Sequence, residues 1–85
     1  MSVDFTYRIK MPHRPGQLAE LTRAIADAGG LIGDISTREV GREGSLRELT
    51  VEVDGDEHAQ RLCDRLAKLD GVEVVWHRDR ALMMH

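Results

Sequence analysis

Val3-Asp4-Phe5-Thr6-Tyr7-Arg8-Ile9-Lys10-Met11 sets an apolar side chain at every second residue and a polar one between each pair. That period of two is the pattern of a β-strand with one face buried and one face wet. Pro12 then cancels a backbone donor, and Pro15 can open a helix, where its missing N–H matters least. Leu18, Leu21, Ile25 and Ala28 follow at helical spacing, with Gln17, Glu20, Arg23 and Asp27 on the opposite face. Gly29-Gly30 gives the helix a left-handed stop.

Leu31 to Val40 reads as a second strand. Ile32 and Ile35 are three residues apart, so a bulge near Gly33 is needed to turn both inward. Gly41-Arg42-Glu43-Gly44-Ser45 is a turn, and beyond it Leu49, Val51 and Val53 alternate with Glu48, Thr50 and Glu52, which completes a hairpin. Asp54-Gly55-Asp56 breaks the strand, with Asp56 placed to cap a second helix that carries Ala59, Leu62, Cys63, Leu66 and Leu69 on one side. After Gly71, Val72 to His77 forms a last strand whose inward face is ambiguous, because Val74 and Val75 are adjacent. Asp79 to His85 shows no period.

The order strand, helix, strand, strand, helix, strand predicts an α+β fold of ferredoxin-like βαββαβ type, with a four-stranded antiparallel sheet and two helices on one face. Eighty-five residues make a single domain with a modest core. A core this small gains from self-association. No apolar run reaches membrane-spanning length, and Met1-Ser2-Val3-Asp4 has no signal character, so a cytoplasmic protein is expected. Twelve basic residues are dispersed among fifteen acidic ones for a net charge of −3, which argues against a nucleic-acid partner. Cys63 is the one cysteine, so no internal disulfide and no thiolate-rich metal site can form within the chain.

Several chemistries share this topology, and the residues discriminate among them. Gly29-Gly30-Leu31-Ile32-Gly33 closes a helix and enters a strand, the reverse of a nucleotide-binding glycine loop. An RNA-binding sheet would show aromatics on its wet face, and none is expected there. His13, His58, His77 and His85 lack metal-ligand spacing and read as ordinary surface histidines. Arg14 stands where an acylphosphatase-like enzyme would hold phosphate, but the chain contains no asparagine to orient water. No nucleophile and base pattern is recognisable, so no catalytic residue, metal site or cofactor is expected. One constellation is left. His13, Arg14, Pro15, Gly16, Gln17 and Leu18 surround the first turn of helix one, where free N–H groups favour an anion. The plainer alternative is a helix start with a solvated Arg14.

Pro15-Gly16-Gln17-Leu18 and Gly29-Gly30-Leu31-Ile32-Gly33-Asp34-Ile35 resemble the ACT domain, a regulatory module that binds amino acids and other small effectors. With Arg47-Glu48-Leu49-Thr50-Val51, His58, Gly71-Val72-Glu73-Val74, Asp79-Arg80 and His85, the chain looks like the ACT domain preceding the catalytic part of some bacterial NAD-dependent malic enzymes. The resemblance implies residues 1–79 as a regulatory domain and residues 80–85 as the start of a linker to a catalytic region. It also implies an effector site between two paired domains, made by His13, Arg14, Pro15, Gly16, Gln17 and Leu18 of one copy and Leu31, Ile32, Gly33, Asp34 and Ile35 of a neighbour. His13-Arg14 replaces the usual acidic or amide residue of that loop, which leaves room for an acidic metabolite as effector. Two functions remain open at this point: allosteric sensing of a small carboxylate by a homodimer, or structural dimerisation with no ligand.

Overall fold

In the computed structural model, described here for residues 2–83, the alternating segment forms β1 (Val3–Met11), with Phe5, Tyr7, Ile9 and Met11 buried. The chain continues through α1 (Gln17–Asp27), β2 (Leu31–Gly41), β3 (Gly44–Val53), α2 (Asp56–Ala67) and β4 (Glu73–Asp79), and ends in a short 3₁₀ turn, Arg80–Met83. The sheet runs β2-β3-β1-β4 with every neighbouring pair antiparallel. Leu21 and Ile25 of α1 and Ala59, Leu62 and Leu66 of α2 join the inward side chains of β1 and β3 in one core, so both helices cover the same face. The fold is the expected α+β ferredoxin-like sandwich.

Local chemistry accounts for most joints. At the end of α1, Gly30 N–H donates to the Ile25 carbonyl and Gly29 N–H to that of Ala26, the paired bonds of a Schellman stop. Gly29 adopts a φ of 80°, which a side chain would resist. Gly33 is the residue bulged out between Ile32 and Asp34, so Ile32 opposes Val51 and Ile35 opposes Leu49, both on the helix side. A second bulge, between Thr37 and Glu39, has no signature in the local sequence.

Other joints depart from the sequence reading. The first helix begins at Gln17, with Gly16 at the cap and Pro15 in the preceding turn. The second is capped by Gly55, and Asp56 is its first helical residue without a capping hydrogen bond. The last strand runs to Asp79, two residues past the expected end. A register shift absorbs Val75, so Val74 pairs with Ile9 on the helix side and Trp76 with Arg8 on the open side. The open face therefore carries an aromatic after all, on its edge strand. Trp76 lies under two guanidinium groups, Arg8 at 5.3 Å and Arg78 at 4.5 Å, and Arg8 is ion-paired with Glu48 across the strands.

Candidate functional site

Antiparallel register decides where the expected site residues fall. Met11 pairs with Ser45, and Leu31 with Glu52. The loop after β1 and the start of β2 are thus at opposite ends of the sheet, seven residues or about 24 Å apart along β3. One chain does not bring them together.

At the first end, His13, Arg14, Pro15 and Gly16 are exposed, Leu18 is half-buried, and Gln17 is buried at 2% exposure. Gln17 was expected on the wet face. Instead it heads the stripe continued by Leu21 and Ile25, because starting the helix one turn earlier than its apolar run leaves the amide against the sheet. Arg14 Nε donates to Gln17 Oε1 at 2.9 Å, and Arg14 Nη2 reaches Asp70 at 3.6 Å. Gln17 Nε2 is left buried with no acceptor. Glycine at the cap provides no side-chain acceptor for α1, and among the described residues the N–H groups of Leu18 and Ala19 have no partner.

At the other end Leu31 is 64% exposed and Ile35 37%, while Ile32 is half-buried. Gly33 and Asp34 are exposed. Asp34 pairs with Thr50, whose neighbours in phase face the open side, so its carboxylate is on the sheet face away from α1. Among the described residues, three of the four large exposed apolar side chains, Leu31, Ile35 and Val40, lie on β2. That strand is a sheet edge eleven residues long.

Two concavities stand out, and neither includes His13–Leu18 or Leu31–Ile35. An open groove of about 840 Å³ lies beside the β2–β3 turn, against Lys10, Pro12, Arg42, Leu46 and Val75. A cleft of about 390 Å³ separates the end of α1 from the charged side chains of α2. Among the described residues no group of three or more His, Cys, Asp or Glu is placed to hold a metal, and no helix is long and apolar enough to cross a membrane.

The histidines need correcting. His58 is 6% exposed: its Nδ1 accepts Asp54 N–H at 2.9 Å, which leaves Nε2–H to donate to the Ala28 carbonyl at 2.7 Å. It ties the start of α2 to the end of α1. His77 is half-buried and stacks on Tyr7, with centroids 5.4 Å apart. His13 is exposed, and His85 lies outside the described residues. Tyr7 donates its hydroxyl to the Ala59 carbonyl at 2.8 Å, and burial, with a smaller effect of nearby Cys63, pushes its ionisation well above the tyrosine range. Burial and then Asp64 likewise push the Cys63 thiol up, so it is packing and not a nucleophile.

Arg47 was not singled out for chemistry, although its signal was available. It occupies the apolar phase of β3, between Ser45 and Leu49. Its Nη1 donates to Thr37 Oγ1 at 2.6 Å, and its buried Nε has no acceptor.

A ferredoxin-like sandwich with a filled core, a bare helix start and an open apolar edge strand is the form of a small binding or regulatory domain. The ACT domain family model matches residues 2–76, and the chain belongs to that family, whose members are commonly regulatory and ligand-binding. Over 81 residues the chain is 32% identical to NAD-dependent malic enzyme 1 of Bacillus subtilis (strain 168), covering 94% of itself and 18% of that relative. Among solved structures it is similar to a homoserine dehydrogenase from Thiobacillus denitrificans, with a TM-score of 0.75, 22% identity, and coverage of 93% of this chain and 17% of that one. A protein of unknown function from Galdieria sulphuraria superposes with a TM-score of 0.74 at 12% identity, covering 93% of this chain and 45% of the other. An uncharacterised protein from Thermotoga maritima does so at 0.69 and 14%, with 93% and 98% covered. These likenesses at low identity concern the fold.

Proposed function

We propose that this chain is the effector-sensing part of a larger enzyme. It works as a homodimer that binds a small carboxylate, an amino acid or other organic acid, where His13–Leu18 of one copy meets Leu31–Ile35 of another. The observation that carries this reading is the open β2 edge with Leu31, Ile35 and Val40 exposed along it. Pairing two such edges antiparallel across a two-fold axis puts the start of each β2 beside the end of the other, which is the end where the β1–α1 loop lies. The two half-sites, apart in one chain, become neighbours in the pair. The bare N–H groups of Leu18 and Ala19 and the guanidinium of Arg14 then favour a carboxylate.

The likeness to the malic enzyme supports residues 1–79 as a regulatory unit and the segment from Arg80 as its connection to a catalytic region of that kind. Effector binding would bias the pairing of subunits and so the activity attached to it. A lone, half-buried cysteine suits the reducing cytoplasm. The competing reading, a dimerisation module without ligand, is favoured by Arg14 bridging Gln17 and Asp70 over the helix start.

Sedimentation and calorimetry separate the two. The chain should sediment as a dimer, release or absorb heat with at least one amino acid or dicarboxylic acid, and lose both properties in Ile35→Lys. A dimer that shows no heat with any of these compounds would leave only the structural reading. A monomer at all concentrations would remove both.

A further inference from the structure

Charged side chains seldom sit in a helix-covered sheet face without a counter-charge, because each desolvated donor left unmatched costs free energy. Arg47 is such a case. Ser45, Leu49, Val51 and Val53, its neighbours in phase, are all buried under the helices, and Arg47 itself is half-buried. Among the described residues no carboxylate lies within ion-pair reach of it. Its one hydrogen bond goes to the hydroxyl of Thr37, an exposed residue of the β2 edge, so the guanidinium reaches from the core side of β3 toward that edge.

We infer that Arg47, with Thr37, grips one carboxylate of the effector, beyond the one that Arg14 and the helix start favour, and that the effector is an organic acid without an amino group. This rests on the dimeric effector site proposed above, since Thr37 lies near the middle of β2 and would border the crevice between two paired copies. A carboxylate supplies the two acceptor atoms that a planar guanidinium matches in a forked pair, including the one Nε lacks. Gln17 Nε2, at the same end of the same face, is among the described residues the other buried side-chain donor without an acceptor. Among the described residues of β2, no carboxylate is on this face to pair with an ammonium group. The acidic residues of β2, Asp34 and Glu39, pair with Thr50 and Leu46, whose side chains are on the open side of the sheet. Near the helix start, Asp70 is exposed and lies 3.6 Å from Arg14.

Succinate and aspartate have the same carbon skeleton and differ by the ammonium group, so titrating the 85-residue chain with each by calorimetry tests the class of ligand. Succinate should bind the tighter. Arg47→Met should weaken succinate by about tenfold to a hundredfold, the effect of losing a charge-assisted pair, with Arg47→Lys intermediate because an ammonium cannot fork. The unliganded Arg47→Met protein should unfold at the same temperature as wild type or higher, since an unmatched buried donor has been removed. Aspartate binding more tightly than succinate, especially if Asp70→Asn abolishes it, overturns the organic-acid assignment. Unchanged succinate affinity in Arg47→Met, or a lowered unfolding temperature with affinity intact, makes Arg47 structural while leaving the effector site standing. No heat from either compound in a dimeric wild type removes the effector site and this inference together.

Discussion

Replacing His58 by alanine should cost this domain about 3 kcal/mol. The imidazole is 6% exposed and closes two hydrogen bonds, from Asp54 N–H and to the Ala28 carbonyl, each worth about 1 kcal/mol net. Losing the ring leaves those two backbone groups without their partner and opens a cavity, which adds about another 1 kcal/mol or more. In a domain of this size a loss of 1 kcal/mol lowers the melting temperature by about 4–8 °C, so a fall of about 12–24 °C is expected. Urea unfolding followed by far-ultraviolet circular dichroism and by the fluorescence of Trp76 measures it. His58→Phe preserves most of the volume and deletes only the bonds, so it should cost about 2 kcal/mol, while the exposed His13→Ala should stay within about 0.5 kcal/mol of wild type. A cost below about 1 kcal/mol for His58→Ala would refute the view that this side chain ties α2 to the end of α1.

Two further outcomes are expected. Tyr7 stays protonated in the fold to a higher pH than in the unfolded chain, so unfolding releases a proton above about pH 10 and stability must fall there by about 1.4 kcal/mol per pH unit. Tyr7→Phe should flatten that decline in alkaline urea titrations but not abolish it, because the raised Cys63 thiol acts with the same sign from about pH 9; an unchanged slope would contradict it. Gly30→Ala should destabilise by about 1–3 kcal/mol, since its new methyl would sit 2.8 Å from Val51 Cγ1 and 3.0 Å from Ile25 Cγ2. A Gly30→Ala protein as stable as wild type in thermal melts would mean that the junction between α1 and β2 yields more easily than the packing indicates.

Alternation in Val3–Met11, helical spacing in Leu18–Ala28 and the glycines at 29, 30 and 33 determined the element order, the Schellman stop and the first bulge, because each depends on contacts within a few residues. The resemblance carried by the same glycine-rich stretch and Pro15-Gly16-Gln17-Leu18 pointed to the family. Gln17, His58, Trp76 and Arg47 were decided by the tertiary structure. Whether Gln17 faces water depends on how far α1 is rotated against the sheet, and whether His58 is a surface histidine depends on where the end of α1 lands. The inward face of the last strand, ambiguous in the sequence, was settled by one bulge at Val75, which puts Val74 on the helix side and Trp76 on the open side. The separation of the loop after β1 from the start of β2 is also a fact of topology: both strands run antiparallel to β3 and so parallel to each other, and α1 must carry the chain from one end of the sheet to the other.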